Sequence, residues 1–153
     1  MSTFRGLPAH VLLVHGLVVL VPLTAALVIL CALWPAARSR LVWPTAILAV
    51  VVVALTPITT EAGEWLEDRI GSTPAIAKHT ELGGTMLYFV VPLVIAAALV
   101  VVTHLRAERN RPLGRAILAV IAVFAVAAGA AATVHTYRVG DTGSRAVWTG
   151  VVQ

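Results

Sequence analysis

The sequence predicts an all-α integral membrane protein, a four-helix bundle arranged as two tandem helical hairpins. Apolar residues make up 59% of the 153-residue chain and charged residues 12%, with a mean hydropathy of +0.95. Soluble domains are about half apolar and about a quarter charged. Four apolar runs, residues 11–34, 41–58, 82–103 and 116–134, approach the roughly 20 residues that a helix needs to cross a bilayer. The third observation is a repeat that links the first run to the third. Expected helices cover 9–34, 41–60, 74–104 and 115–136, with a short amphipathic segment over 61–70, which leaves no room for a separate soluble domain. A membrane β-barrel is excluded, because its alternate positions would have to be polar.

The first helix carries His10, His15, Gly16 and Pro22. Its apolar run exceeds a signal-peptide core and only Arg5 precedes it, so it is expected to stay as an anchor. Pro22 removes the hydrogen bond to the Val18 carbonyl, and Pro92 does the same to Tyr88 in the third helix, so both helices are expected to kink. Five residues separate His10 from His15, placing them about 7 Å apart in depth and about 140° apart around the axis. They are therefore not expected to ligate one ion together, and the deeper His15 is the preferred inner ligand. Cys31, the single cysteine, reads as a small buried hydrophobe.

After the second helix, Glu61, Glu64 and Asp68 recur at helical spacing opposite Ala62, Trp65, Leu66 and Ile70. This pattern predicts an amphipathic segment resting at the interface with Trp65 as its anchor. Glu67 and Asp68 read as a solvated face, whereas Glu61 and Glu64 stand close enough to the boundary to complete or orient a histidine site. Ser72-Thr73-Pro74 marks the start of the third helix, with a hydroxyl cap and proline in the first turn. On it His79, Gly83, Met86 and Val90 share one face. His104 reads as a residue of the opposite interface. In the fourth helix Ala125, Gly129 and Thr133 form a small-residue seam. Beyond His135, the Gly140-Asp141-Thr142-Gly143-Ser144 run reads as a turn.

The repeat rests on Ala9-His10, Gly16 and Val21-Pro22-Leu23 echoed by Lys78-His79, Gly84 and Val91-Pro92-Leu93. The hairpin ends rhyme as well, Thr59 to Gly63-Glu64 with Thr136 to Gly140-Asp141, at a displacement of 77 residues. Two copies inserted in the same sense are related by an axis along the membrane normal, which makes His10 and His79 equivalents. The bland alternative is that Ala, Val and Leu make any two membrane helices look alike.

Basic residues set the orientation. Arg38 and Arg40 lie in the first link and Arg106, Arg109, Arg111 and Arg115 in the third, against Arg5, Arg69, Lys78, Arg138 and Arg145 on the other side with most of the acids. Short arginine-rich links are expected to be cytoplasmic. The chain is therefore expected in a bacterial plasma membrane as a multi-pass protein with both termini extracytoplasmic. His10, His15, His79 and His135 then gather on the outer side, where an unpaired imidazole is costly enough to mark a functional site.

The opening Gly6-Leu7-Pro8-Ala9-His10, the His79-x-x-x-Gly83 start of the third helix, and His135 followed by Gly140-Asp141-x-Gly143-Ser144 and Ala146-x-Trp148 carry a resemblance across nearly the whole chain. They resemble an uncharacterised bacterial family of small four-helix membrane proteins, a domain of unknown function. The resemblance implies a redox setting, because some members are fused to Rieske-type iron–sulfur domains; it names no reaction.

These readings predict a haem b or a transition-metal ion held by His15, His79, His135 and His10, with Glu64 as a further donor to a metal ion, in electron transfer or metal handling. No CxxCH or HExxH motif is present, so a haem would be non-covalent. Expected partners are the lipid bilayer, a redox or respiratory membrane protein, and a second copy of the chain. The competing function is a non-catalytic accessory subunit packed against a larger membrane complex. A proton path ranks third, because no ionisable series continues to the inner side. Nucleic acid is not an expected partner despite a pI near 10.2, since the basic residues already serve topology. Whether the protein is an enzyme is left open, as no nucleophile or acid–base pair stands out.

Overall fold

The computed structural model describes residues 3–4 and 7–148. A short antiparallel pair, β1 (Thr3–Phe4) and β2 (Leu7–Pro8), leads into five helices: α1 (Ala9–Leu33), α2 (Pro35–Ile70), α3 (Pro74–Gly84), α4 (Met86–Glu108) and α5 (Arg115–Trp148). Helices α3 and α4 form one span interrupted at Thr85. Four spans result, each long and apolar enough to cross a membrane, so the chain is an all-α multi-pass membrane bundle in contact with lipid.

The helix ends follow local chemistry. Trp34 alone links α1 to α2, because Pro35 occupies the first position of α2, where its missing N–H costs nothing. The second helix thus starts six residues earlier than the apolar run that foretells it. It also runs on through residues 61–70, so the acidic segment is the continuation of α2 rather than a separate interfacial helix. Arg69 stacks over Trp65 at 4.3 Å. Gly71 ends the helix at a φ of 83°, which favours a residue without Cβ. Thr73 caps α3 by accepting from the Ile76 N–H at 3.3 Å, as its sequence implies.

The Gly140–Ser144 run is helical, not a turn. Helix α5 continues to Trp148, and Thr142 back-bonds to the Arg138 carbonyl at 3.1 Å. Asp141 pairs with Arg145 one turn on, at 2.9 Å. At about 1.5 Å per residue, α2 and α5 with their 36 and 34 residues run about 50 Å, well past a hydrocarbon core of about 30 Å.

Helix α1 packs on α2 and α5, and α4 packs on the same two, so α1 and α4 stand on one diagonal of the bundle. The core is narrow and made of small side chains. Val21, Val28, Val52 and Leu93 are fully buried, while Val120 and Val123 in mid-span are about 70% exposed, the inside-out distribution that lipid permits. Buried Thr45, Thr56, Thr59, Thr103 and Thr136 return their hydroxyls to carbonyls one turn back, at 2.7–2.9 Å. Each donor is thereby satisfied without water.

Burial repeats between the hairpins. A displacement of 69 residues carries buried Leu17, Val21, Val28 and Cys31 onto buried Met86, Val90, Ala97 and Val100. A displacement of 80 carries buried Thr45, Ala49, Val52 and Thr56 onto buried Ala125, Gly129, Ala132 and Thr136. The displacement of 77 suggested by the motif rhyme fails this test, because it would place Ala49 on Val126, which is 42% exposed. Of the difference between 69 and 80, six residues extend the end of α4 beyond the counterpart of Leu33 and five lengthen the α4–α5 connection.

Candidate functional site

Two of the histidines meet at the end of the bundle opposite the arginine links. His10 on α1 and His79 on α3 have ring centres 6.0 Å apart, with ring planes at 78°. His10 Nδ1 lies 2.9 Å from the Thr59 carbonyl of α2. His79 Nδ1 lies 3.0 Å from the Val139 carbonyl of α5 and 3.3 Å from the Thr142 hydroxyl. A carbonyl can only accept, so each Nδ1 carries the proton and, in the neutral ring, each Nε2 carries the lone pair.

A glycine makes each contact possible. To reach a helical carbonyl from the side, an imidazole must pass over the residue four positions later in the chain. That residue is Gly63 for Thr59 and Gly143 for Val139. A Cβ built on Gly63 would stand 2.9 Å from His10 Cε1, and one on Gly143 would stand 2.9 Å from His79 Cε1. Both distances are shorter than van der Waals contact, so absence of a side chain seats the ring. The displacement of 80 residues that aligns the cores also carries Thr59 onto Val139 and Gly63 onto Gly143. Each half of the site is therefore one histidine, one carbonyl and one glycine, produced twice.

The pair stands between two spaces. Below it is a small void of about 50 Å³ bounded by Leu17, Thr56, Met86 and Thr136. Beside it opens a cavity of about 790 Å³ lined by the outer parts of α1, α2, α3 and α5, within the usual range for small-molecule sites. Its walls include Val18, Ile76 and Trp148, and Glu64, Glu67 and Asp141 add carboxylates.

The other candidates are placed differently. His15 is exposed on the wall of the same cavity, its Nδ1 donating to the Val11 carbonyl of its own helix. Glu64 is exposed on that wall. His135 is 5% exposed on α5, where its Nε2 lies 3.1 Å from both the Leu82 carbonyl and the Thr85 hydroxyl. Its ring stacks on Phe89 with centres 4.0 Å apart. A carbonyl can only accept, so in this bond to Leu82 it is the His135 Nε2 that carries the proton, leaving no lone pair there to offer. His104 pairs with Glu108 at 3.2 Å at the opposite end. Among the described residues, no group of three or more His, Cys, Asp or Glu side chains is arranged to hold a metal ion. The structure thus brings together His10 and His79 and leaves His135 outside their cavity.

Sequence reasoning did not single out the Thr59 and Val139 carbonyls, the Thr142 hydroxyl, Gly63 or Gly143 as site residues. Gly63 and Gly143 carried a readable signal, since each interrupts a polar helical stretch that better helix formers would fill. No curated protein and no solved structure shows significant similarity to the chain. A family model described as "Predicted membrane protein (DUF2231)" matches residues 6–153. The chain therefore belongs to the DUF2231 family of membrane proteins.

Proposed function

We propose that this protein binds haem b non-covalently through His10 and His79, at the extracytoplasmic face of the bacterial plasma membrane, and serves electron transfer with a redox partner in the same membrane. The observation that carries the reading is the pair of imidazoles, each with its Nδ1–H bonded to a carbonyl and its Nε2 left with the lone pair, both lining one cavity. Backbone carbonyls that hold Nδ1–H fix the ring and raise the basicity of the other nitrogen, the usual support behind a metal-bound histidine. Two imidazoles opposed across one metal centre at bonds of about 2 Å would put their ring centres about 6 Å apart, close to the 6.0 Å separation of His10 and His79.

The donor count favours haem over a bare ion. Haem asks the protein for two axial ligands, whereas a bare transition-metal ion would need donors beyond this pair. The cavity is large enough for a flat macrocycle, and Gly83, with nothing within 4 Å of where a Cβ would stand, leaves room beside the rings. When bound, haem supplies one-electron chemistry. The chain itself orients the two rings, shields them with Val14, Val18 and Ile76, and offers polar groups at Glu64 and Asp141. Outward placement of this face follows from Arg38, Arg40, Arg106, Arg109, Arg111 and Arg115 gathering at the other end.

The test is an absorption spectrum, oxidised and reduced, with metal analysis of the same purified sample. The reading expects a low-spin Soret signature that is lost in His10→Ala and in His79→Ala and kept in His15→Ala. Absence of both a Soret band and stoichiometric iron in protein produced with ample haem would overturn it. If, in addition, His10→Ala and His79→Ala lost only assembly with a larger complex, the accessory-subunit reading would replace it.

A further inference from the structure

The two halves of the site share one histidine, one carbonyl and one glycine each, and away from that core two departures coincide. Helix α1 runs unbroken past His10, whereas the span carrying His79 breaks at Thr85. His135 also has no counterpart, since the displacement of 80 residues relates it to Leu55. These two exceptions touch each other. The break leaves the Leu82 carbonyl out of the regular helical ladder, where it accepts from the Thr85 N–H at 3.2 Å and the Thr85 hydroxyl at 2.8 Å. His135 adds a third donor, from α5, at 3.1 Å.

One turn further along α5, the Val139 carbonyl receives His79 Nδ1–H. Helix α5 therefore grips α3 twice, through a histidine of α5 on a carbonyl of α3 and through a histidine of α3 on a carbonyl of α5. Burial of the His135 ring against Phe89 adds rigidity to the first grip. Without it, α3 would be joined to α4 only through Gly83-Gly84-Thr85, a segment with little intrinsic helical stiffness.

We infer that His135 is a positioning residue for His79: its Nε2–H bond to the Leu82 carbonyl locks the α3–α4 break and holds α3 in the register that presents His79 to His10. The inference rests on the reading of that pair as ligands only for its effect on binding; the lock itself is a property of the helices. Nature has in this way compensated a broken helix with a bond that the unbroken copy does not need.

The experiment compares full-length protein in lipid nanodiscs as wild type, His135→Leu and His135→Gln, read by hydrogen exchange and by hemin titration. In His135→Leu, amides of α3 are expected to exchange at least about tenfold faster while those of α1 keep their protection. Hemin affinity is expected to fall by about tenfold, with part of the bound hemin turning from low-spin to high-spin. His135→Gln, whose side-chain N–H reaches for the same carbonyl, is expected to recover most of both losses. Should His135→Leu not fold, Thr85→Val removes another donor to the Leu82 carbonyl and is expected to speed exchange in α3 alone. Unchanged α3 protection in the variants, or equal loss across all helices, would overturn the lock. If hemin binds none of the proteins while α3 still loosens selectively, the ligand reading fails and the lock stands.

Discussion

The first hairpin delivers its histidine on a continuous helix, and the second delivers its histidine on a helix broken one and a half turns away. Both rings nevertheless arrive at the same chemistry, a carbonyl on the neighbouring helix with a glycine one turn beyond it. A site made of two equivalent halves can tolerate different scaffolds when each half fixes its own ring. The difference teaches which contacts belong to the site, because they recur, and which belong to the scaffold, because they occur once. Thr59, Gly63, Val139 and Gly143 fall in the first class; His135, Thr85 and Phe89 fall in the second.

The largest effect should come from the histidines themselves. His10→Ala and His79→Ala should each abolish bis-imidazole ligation, and the double variant should be no worse than either single one, as measured by haem-to-protein ratio. Unequal losses would break the equivalence of the halves. The next effect should come from the glycine seats. Gly63→Ala and Gly143→Ala each force a methyl into an imidazole, and each should cost about 10- to 100-fold in hemin affinity.

Acid should weaken the site. Only a neutral ring offers a lone pair, so hemin affinity should fall in acid. A titration from pH 8 to pH 5 that showed tighter binding in acid would contradict ligation through Nε2. The smallest effect concerns the core. Gly129 corresponds to Ala49 of the first hairpin, and a Cβ built there meets the flexible Ile29 Cδ1 at 2.9 Å. Gly129→Ala should therefore cost at most about 1 kcal/mol in a denaturation experiment, whereas Gly129→Leu should cost about 1–3 kcal/mol by overpacking the α1–α5 seam.

Much of this architecture can be read from the chain. The four spans follow from apolar runs that no soluble fold would tolerate, and the link between His10 and His79 follows from the repeated proline and glycine pattern around them. The extents of α2 and α5 are less legible, since hydropathy ends where the bilayer ends and these helices continue. Gly140 and Gly143 read as turn residues because local propensity disfavours helix there; packing against α3 outweighs it. The register of the second hairpin was obscured for a related reason. Thr136 to Gly140 repeats the Thr59 to Gly63 spacing, yet a shift of three residues is nearly one helical turn and leaves Gly140 close to the face that Gly143 occupies. Burial of the core and the ring contact tell the two registers apart. The role of His135 was hidden because the helix break it caps is set by Gly83-Gly84-Thr85, a sequence that equally suits a packed helix face.

The most direct measurement is ¹⁵N magnetic resonance of histidine-labelled protein in bilayers, with and without hemin. The account predicts that His10 and His79 are both Nδ1–H tautomers in the free protein and that hemin perturbs both Nε2 resonances together while His135 keeps its Nε2–H. Finding either His10 or His79 as the Nε2–H tautomer, or a response confined to one of the pair, would contradict it.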